Sequence, residues 1–291
     1  LTYLNRARNH KILIQIKHIS ELLWEKGLSP IYIKGAAHLV DGLYEDIAER
    51  MLSDIDLLLG EESVINAFSH MLDNGYKPIN NSVDINTHIG RHLPRLVKED
   101  EVCAVEIHYR ILSPRYSRYF DYKSVKNSLR KPKPSDTFYV FSYQNMILNS
   151  ILNAQLNDAA QKHYKTFLRH GYDLMLLAQR TSPLEAANSF SYFLPLINDY
   201  LLFSADLLSY PKGLNYKETR SAKCYVKRMH FLWKRPMIFR QIGHGQFLFS
   251  RISRYIKVGV LFIFSASTRQ RVLNNFADPS YLKRHIEQYV Q

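Results

Sequence analysis

The stretch Ser53-Asp54-Ile55-Asp56-Leu57-Leu58-Leu59 decides how this 291-residue chain reads. Two acids separated by one apolar residue and followed by an unbroken run of leucines predict a short buried strand. Alternation along it puts Asp54 and Asp56 on one face. Carboxylates roughly 6–7 Å apart along a strand repel each other beside an apolar sheet. A hard divalent cation relieves that repulsion and accepts oxygen ligands, so the pair is a candidate metal site. A strand end with two solvated acids has the same local pattern, and the flanking segments decide between the two.

Upstream, Pro30-Ile31-Tyr32-Ile33-Lys34-Gly35-Ala36-Ala37-His38 reads as an apolar strand that runs into a basic residue, a glycine and small residues, then a helical pattern. A strand-to-helix turn with glycine lets the backbone approach a phosphate, the first helical N–H groups point at it, and Lys34 adds a point charge. Downstream, Val102-Cys103-Ala104-Val105-Glu106-Ile107-His108-Tyr109 alternates as a strand and offers a third carboxylate, Glu106, with His108 on the same face. Three carboxylates can hold the two ions, about 3.5–4 Å apart, that phosphoryl and nucleotidyl transfer use. His88, His92 and His108 also raise a zinc reading, but no clear third and fourth ligand accompanies them. His92 and His108 are expected instead to line the groove beside the carboxylates.

In this order, Lys34-Gly35-Ala36-Ala37, Arg50 ahead of Asp54, Ser53-Asp54-Ile55-Asp56-Leu57-Leu58 and Glu106-Ile107-His108-Tyr109 resemble the uncharacterised nucleotidyltransferase family of the DNA polymerase β-like superfamily. Leu168-Arg169-His170-Gly171-Tyr172-Asp173-Leu174 is similar to the Arg…Asp-Leu helix of that family's second half. The resemblance covers roughly residues 10–180. It implies an α/β (α+β) fold, a mixed sheet flanked by helices and followed by a helical domain. It also implies Mg²⁺ or Mn²⁺ on Asp54, Asp56 and Glu106, with a nucleoside triphosphate (NTP), ATP among them, as co-substrate. Lys34, Gly35, Ala36, Arg50, Ser53 and His108 would then contact the nucleotide, and Arg169 and Asp173 would look toward the groove. Arg50 alternatively fixes the loop carrying Ser53, and Arg169 with Asp173 alternatively forms an intrahelical ion pair. One departure is Ala36, which follows Gly35 where the wider superfamily usually has Ser or Gly, so a hydroxyl contact to the phosphates is missing. Another is the longer gap from Gly35 to Asp54, which implies a longer connecting helix or loop.

A hydrophobic content of 46% with 13% aromatic residues is that of a folded chain and excludes a disordered one. Cys103 and Cys224 are the only cysteines, too few for a disulfide scaffold or a cysteine-based zinc site, and they suit a reducing cytoplasm. The chain opens on Leu1, so an earlier start is expected. It has no signal peptide pattern, and its longest apolar candidate, Val258 to Phe264, is too short to span a bilayer. The net charge of +13 is uneven: residues 1–110 carry 16 acids against 12 Lys+Arg, whereas 111–291 carry 10 against 27. Within 212–257 stand 12 Lys+Arg and one acid, Glu218. Such a surplus attracts polyanions, whether nucleic acid, nucleotide or an anionic membrane, unless it is a solvated face kept for solubility.

Periodicity predicts helices over 4–27, 38–47 and 61–74, with Gly27 and Gly75 as stops, and a strand starting at Tyr76. The region 83–97 is mixed, and Pro94 argues against a central strand. The segment Ser128 to Asp136, with Lys131-Pro132-Lys133-Pro134, reads as a linker. Helical patterns follow over 138–156, 159–179, 183–202 and 281–290. The expected organisation is a catalytic domain over 1–130 and a mainly helical domain over 131–291. The basic, aromatic-rich stretches 225–235 and 247–264 fit core packing, base stacking or an interfacial helix.

The function expected is metal-dependent transfer of a nucleoside monophosphate from an NTP to an acceptor that is a small molecule, a peptide or protein, or RNA. A glycosyltransferase also uses Asp-x-Asp, normally after a much longer nucleotide-binding half than the fifty or so residues here. A haloacid-dehalogenase-like phosphatase expects Thr or Val where Leu58 stands. A non-catalytic nucleotide- or nucleic-acid-binding module would not need Asp54, Asp56 and Glu106 intact.

Overall fold

A computed structural model describes residues 2–79, 90–158, 168–210 and 213–277. The strands are β1 (Ile31–Tyr32), β2 (Asp54–Leu58), β3 (Lys77–Pro78), β4 (Leu96–Val97), β5 (Ala104–His108) and β6 (Tyr139–Val140). They form one mixed sheet in the order β3-β4-β5-β2-β1-β6. At its centre β2 and β5 run parallel, with Asp56 opposite Glu106 and Leu58 opposite His108. Side chains alternate across the sheet, so Ile55, Leu57, Val105 and Ile107 are all fully buried, and the opposite face carries the acids and His108.

The first helix, α1 (Thr2–Trp24), places Ile12, Ile16, Ile19 and Leu23 at helical spacing, all buried. Its polar side chains grip the backbone on either side of the central strands. Asn9 donates to the carbonyls of Ile47 and Arg50, the latter at 2.7 Å, and Arg8 donates to that of Leu52. Gln15 exchanges two hydrogen bonds with the Cys103 backbone, at 2.8 and 3.0 Å. The entries to β2 and β5 are thereby fixed by one helix.

The next helix, α2 (Lys34–Val40), starts earlier than the expected 38–47 and ends at Asp41, followed by Gly42 at φ +64°. Helix α3 (Val64–Asp73) stops at Gly75, whose φ is +88°. After the short α4 (Tyr122–Val125), α5 (Tyr143–Leu152) becomes the hub of the second half. It contacts α2, α6 (Leu168–Ala178), α7 (Pro183–Asn188) and α8 (Leu194–Leu207). The expected 183–202 helix is thus two helices, separated by the turn Ser191–Phe193.

Tyr139 and Val140, expected in the first turn of a helix, enter the sheet as β6 because β1 offers a parallel partner edge. The linker segment is pinned there too: Arg130 and Val140 exchange backbone hydrogen bonds at 2.9 and 2.8 Å.

The chain divides into two compact units, Leu1–Met229 and His230–Gln291. Position 130 falls inside the first. That unit holds the apolar core and a satellite cluster of Phe203, Tyr225 and Met229. Helix α9 (Arg220–Trp233) runs through the division, and the second unit continues with α10 (Pro236–Phe264) and α11 (Ala266–Ala277). The expected 281–290 helix lies outside the described residues. No described helix is long and apolar enough to cross a membrane.

Candidate active site

At the turn from β1 into α2, Lys34 adopts a left-handed backbone conformation, φ +56°. A non-glycine residue there carries strain of the kind that surrounding structure must hold in place. The lysine Nζ reaches Asp56 Oδ1 at 2.5 Å. Gly35 allows a close approach: a Cβ there would lie 3.2 Å from the Arg50 guanidinium and 3.4 Å from the Leu52 side chain, so those side chains would have to give way. Ala36 is buried behind the turn.

On the polar face of the sheet, His108 Nε2 is 2.7 Å from Asp56 Oδ1 and 3.4 Å from Glu106 Oε2. The ligand atoms of Asp56, Glu106 and His108 lie within 4.8 Å of one another, and all three residues are buried. Asp54 is one step nearer the solvent and accepts from Ser53 Oγ at 3.0 Å. Arg95, not singled out from sequence, joins the acids, with Nε 2.9 Å from Glu106 Oε1 and a terminal nitrogen 3.2 Å from Asp54 Oδ2. His92 stands 3.9 Å from Glu106 Oε2 and against the His108 ring, which places it at the carboxylates; His88 lies outside the described residues.

The three carboxyls are not equivalent. Burial opposes the charge on Asp56, but Lys34 and His108 outweigh it and hold the carboxyl below the usual carboxylate range. Burial opposes Glu106 likewise, and bonds from His108 and Arg95, with His92 nearby, pull it down. Asp54 is pushed up by burial and by the charges of Asp56 and Glu106. Its charge is the least compensated of the three. Three carboxylates and an imidazole nitrogen on one face fit a divalent cation that takes oxygen ligands, with one nitrogen donor that Mn²⁺ accepts more readily than Mg²⁺ does. His108 Nδ1 is buried and has no hydrogen-bond partner among the described residues.

Asp54 and Asp56 open onto a cavity of ≈ 800 Å³, counted to the open solvent. Lys34, Gly35, Arg50 and Ser53 line it from the first half of the chain, Arg169 and Asp173 from α6. Glu106, His108 and Ala36 are not part of its lining. Arg50 donates to the Met51 carbonyl at 2.8 Å and to Asp173 Oδ2 at 3.2 Å. Asp173 also accepts from Tyr44 at 2.7 Å and lies 3.5 Å from His38 Nδ1. Burial opposes its charge, and His38, Arg50 and Tyr44 bring its carboxyl down to about 2. The partners of Asp173 are therefore on other elements. Among the described residues Arg169 makes no ion pair with it, and Arg169 stands exposed at the cavity.

The far wall was not anticipated. Asn149, Ser150, Asn153 and Asp158 line it where α5 widens into a π-helical turn, Asn153–Asn157. Such turns recur at functional sites. Arg91 Nη1 donates to Asn153 Oδ1 at 3.1 Å and adds a cation to the cavity. A signal existed in the four-residue spacing of Asn149, Asn153 and Asn157. No motif marks Arg91 or Arg95.

The sequence model of one family, described as uncharacterised nucleotidyltransferase, matches residues 2–198. No curated protein and no solved structure matches the chain.

Proposed function

Because the chain belongs to the uncharacterised nucleotidyltransferase family, we propose that it moves a nucleoside monophosphate from an NTP to an acceptor hydroxyl or phosphate. The acceptor class is a small molecule, a peptide or protein, or RNA. The observation that carries this reading is the in-register pair Asp56 and Glu106 on parallel strands, with Asp54 beside them at the mouth of a cation-lined cavity.

Asp54, Asp56 and Glu106 would hold Mg²⁺ or Mn²⁺, with His108 as a nitrogen donor. A divalent ion there supplies electrostatic stabilisation to phosphoryl oxygens. Lys34, already at Asp56, is within reach of a triphosphate bound against the same carboxylates. The N–H of Gly35, in the first turn of α2 and in the cavity lining, would meet phosphate oxygens, whereas Ala36 is buried outside that lining. Arg169 and Arg91, both in the cavity lining, would neutralise charge on the bound triphosphate. Arg50 acts at one remove: tied to Met51 and Asp173, it fixes the loop that presents Ser53 and Asp54. Glu106, kept charged by His108 and Arg95, would complete the ion beside the acceptor hydroxyl and so help that hydroxyl to lose its proton.

Incubation with each labelled NTP, Mg²⁺ or Mn²⁺ and cell extract tests the reading. Label should pass to one acceptor fraction, and Asp54→Asn or Asp56→Asn should abolish transfer without loss of the fold. Undiminished transfer by either variant would overturn the assignment.

A further inference from the structure

Between residues 219 and 277 the chain contains 12 Lys+Arg and no Asp or Glu. Its centre is α10, 29 residues long, or about 44 Å at 1.5 Å per residue. On an ideal helix, Met237, Leu248, Ile252, Ile256, Val260 and Ile263 fall within an arc of about 140° that holds no charged position. Positions 240, 251, 254 and 257, all Arg or Lys, fall on the opposite arc. The apolar arc is open: Ile252 is 58% exposed, Ile256 62% and Ile263 65%. Uncovered aliphatic residues along one side of a long helix, with every charged position on the other side and all of those positions Arg or Lys, mark a surface that has an occupant.

We propose that α10 lies in the surface of an anionic phospholipid bilayer. Its apolar arc would enter the boundary between headgroups and acyl chains, with the cations held at the lipid phosphates. A span is not available, since no described helix is long and apolar enough to cross. A second copy of this face would bring two acid-free, cationic helices together, and like charges oppose that. Single-stranded nucleic acid prefers aromatic platforms interleaved with cations. The open arc here is mainly aliphatic, with its cations on the other side. Attachment through α10 requires nothing of the cavity in the first unit.

The 291-residue chain sedimented with vesicles distinguishes the outcomes. It should bind vesicles containing phosphatidylglycerol and not pure phosphatidylcholine, and the bound fraction should fall as salt rises. Ile252→Asp with Ile256→Asp should lower partitioning by about a hundredfold. Ile252→Leu with Ile256→Leu should leave it within about twofold, which guards against loss of folding in the acidic variant. Absence of binding to anionic vesicles, or equal binding to neutral ones, would overturn the proposal. So would retention on single-stranded RNA with none on vesicles, or a shift from dimer to monomer in the acidic variant while vesicle binding is unchanged.

Discussion

His170 sits beside the cavity as an imidazole that the fold keeps neutral. Burial pushes it down to about 4, with Arg169, Arg50 and His38 acting in the same direction and Asp173 opposing. Unfolded, it titrates near 6.5. Between those values the unfolded chain binds a proton that the folded one refuses, so stability is full above about pH 6.5 and falls as pH drops toward 4. The loss is about 3 kcal/mol at 1.36 kcal/mol per pKa unit. Urea midpoints measured from pH 7 to 4 should therefore decline, and His170→Asn should flatten the decline. An unchanged slope in the variant would assign it to other groups. At this scale the acids were readable because alternation on a strand leaves little choice: Asp54 and Asp56 share a face, and Glu106 joins them once β5 pairs in register. Arg95 was not readable. Its role depends on β4 pairing with β5, where Leu96 stands opposite Val105 and a bridge of His92 with His108 continues the contact. An isolated arginine in a mixed stretch carries no sign of that.

At the scale of elements, α6 is joined to the first half of the chain by buried polar contacts. Asp173 receives Arg50 and Tyr44, and at the surface Tyr172 donates to Glu49 at 2.5 Å. Asp173→Ala leaves the Arg50 guanidinium buried without its carboxylate, a change worth about 3–5 kcal/mol. The Arg50→Met, Asp173→Leu pair should recover part of that, because two apolar groups strand no charge. Arg169→Ala, an exposed change, should stay within about 0.5 kcal/mol. Urea denaturation of the three variants is the measurement, and a silent Asp173→Ala would mean the network is dispensable. Spacing alone could show that Arg169 and Asp173 share a helix face, but not that the aspartate's partners lie more than a hundred residues away. Strand legibility followed length for the same reason. The five-residue β2 and β5 carry their own alternation, whereas the two-residue β6 is defined by its partners β1 and Arg130.

For the whole molecule, the sheet, the cavity and both apolar clusters belong to Leu1–Met229, whereas the acid-free segment lies beyond Glu218, most of it in His230–Gln291. The charge asymmetry that composition displays is thus a division of material between a buried, site-bearing body and a cationic helical end. Composition could not place the division, because α9 runs through it and carries Tyr225 and Met229 into contact with Phe203. A fragment ending at Lys234 keeps all of α9 and stops before Pro236, where α10 begins. Every clustered buried residue, Ile12 to Met229, remains in it. It should unfold in one cooperative transition, and Mn²⁺ with a non-hydrolysable NTP should raise its midpoint as much as that of the full chain, since ligand binding stabilises only the body that holds the site. The same fragment should leave anionic vesicles unbound. Calorimetry on both lengths decides: a fragment that folds but has lost the ligand-induced shift would mean that residues beyond 234 complete the site.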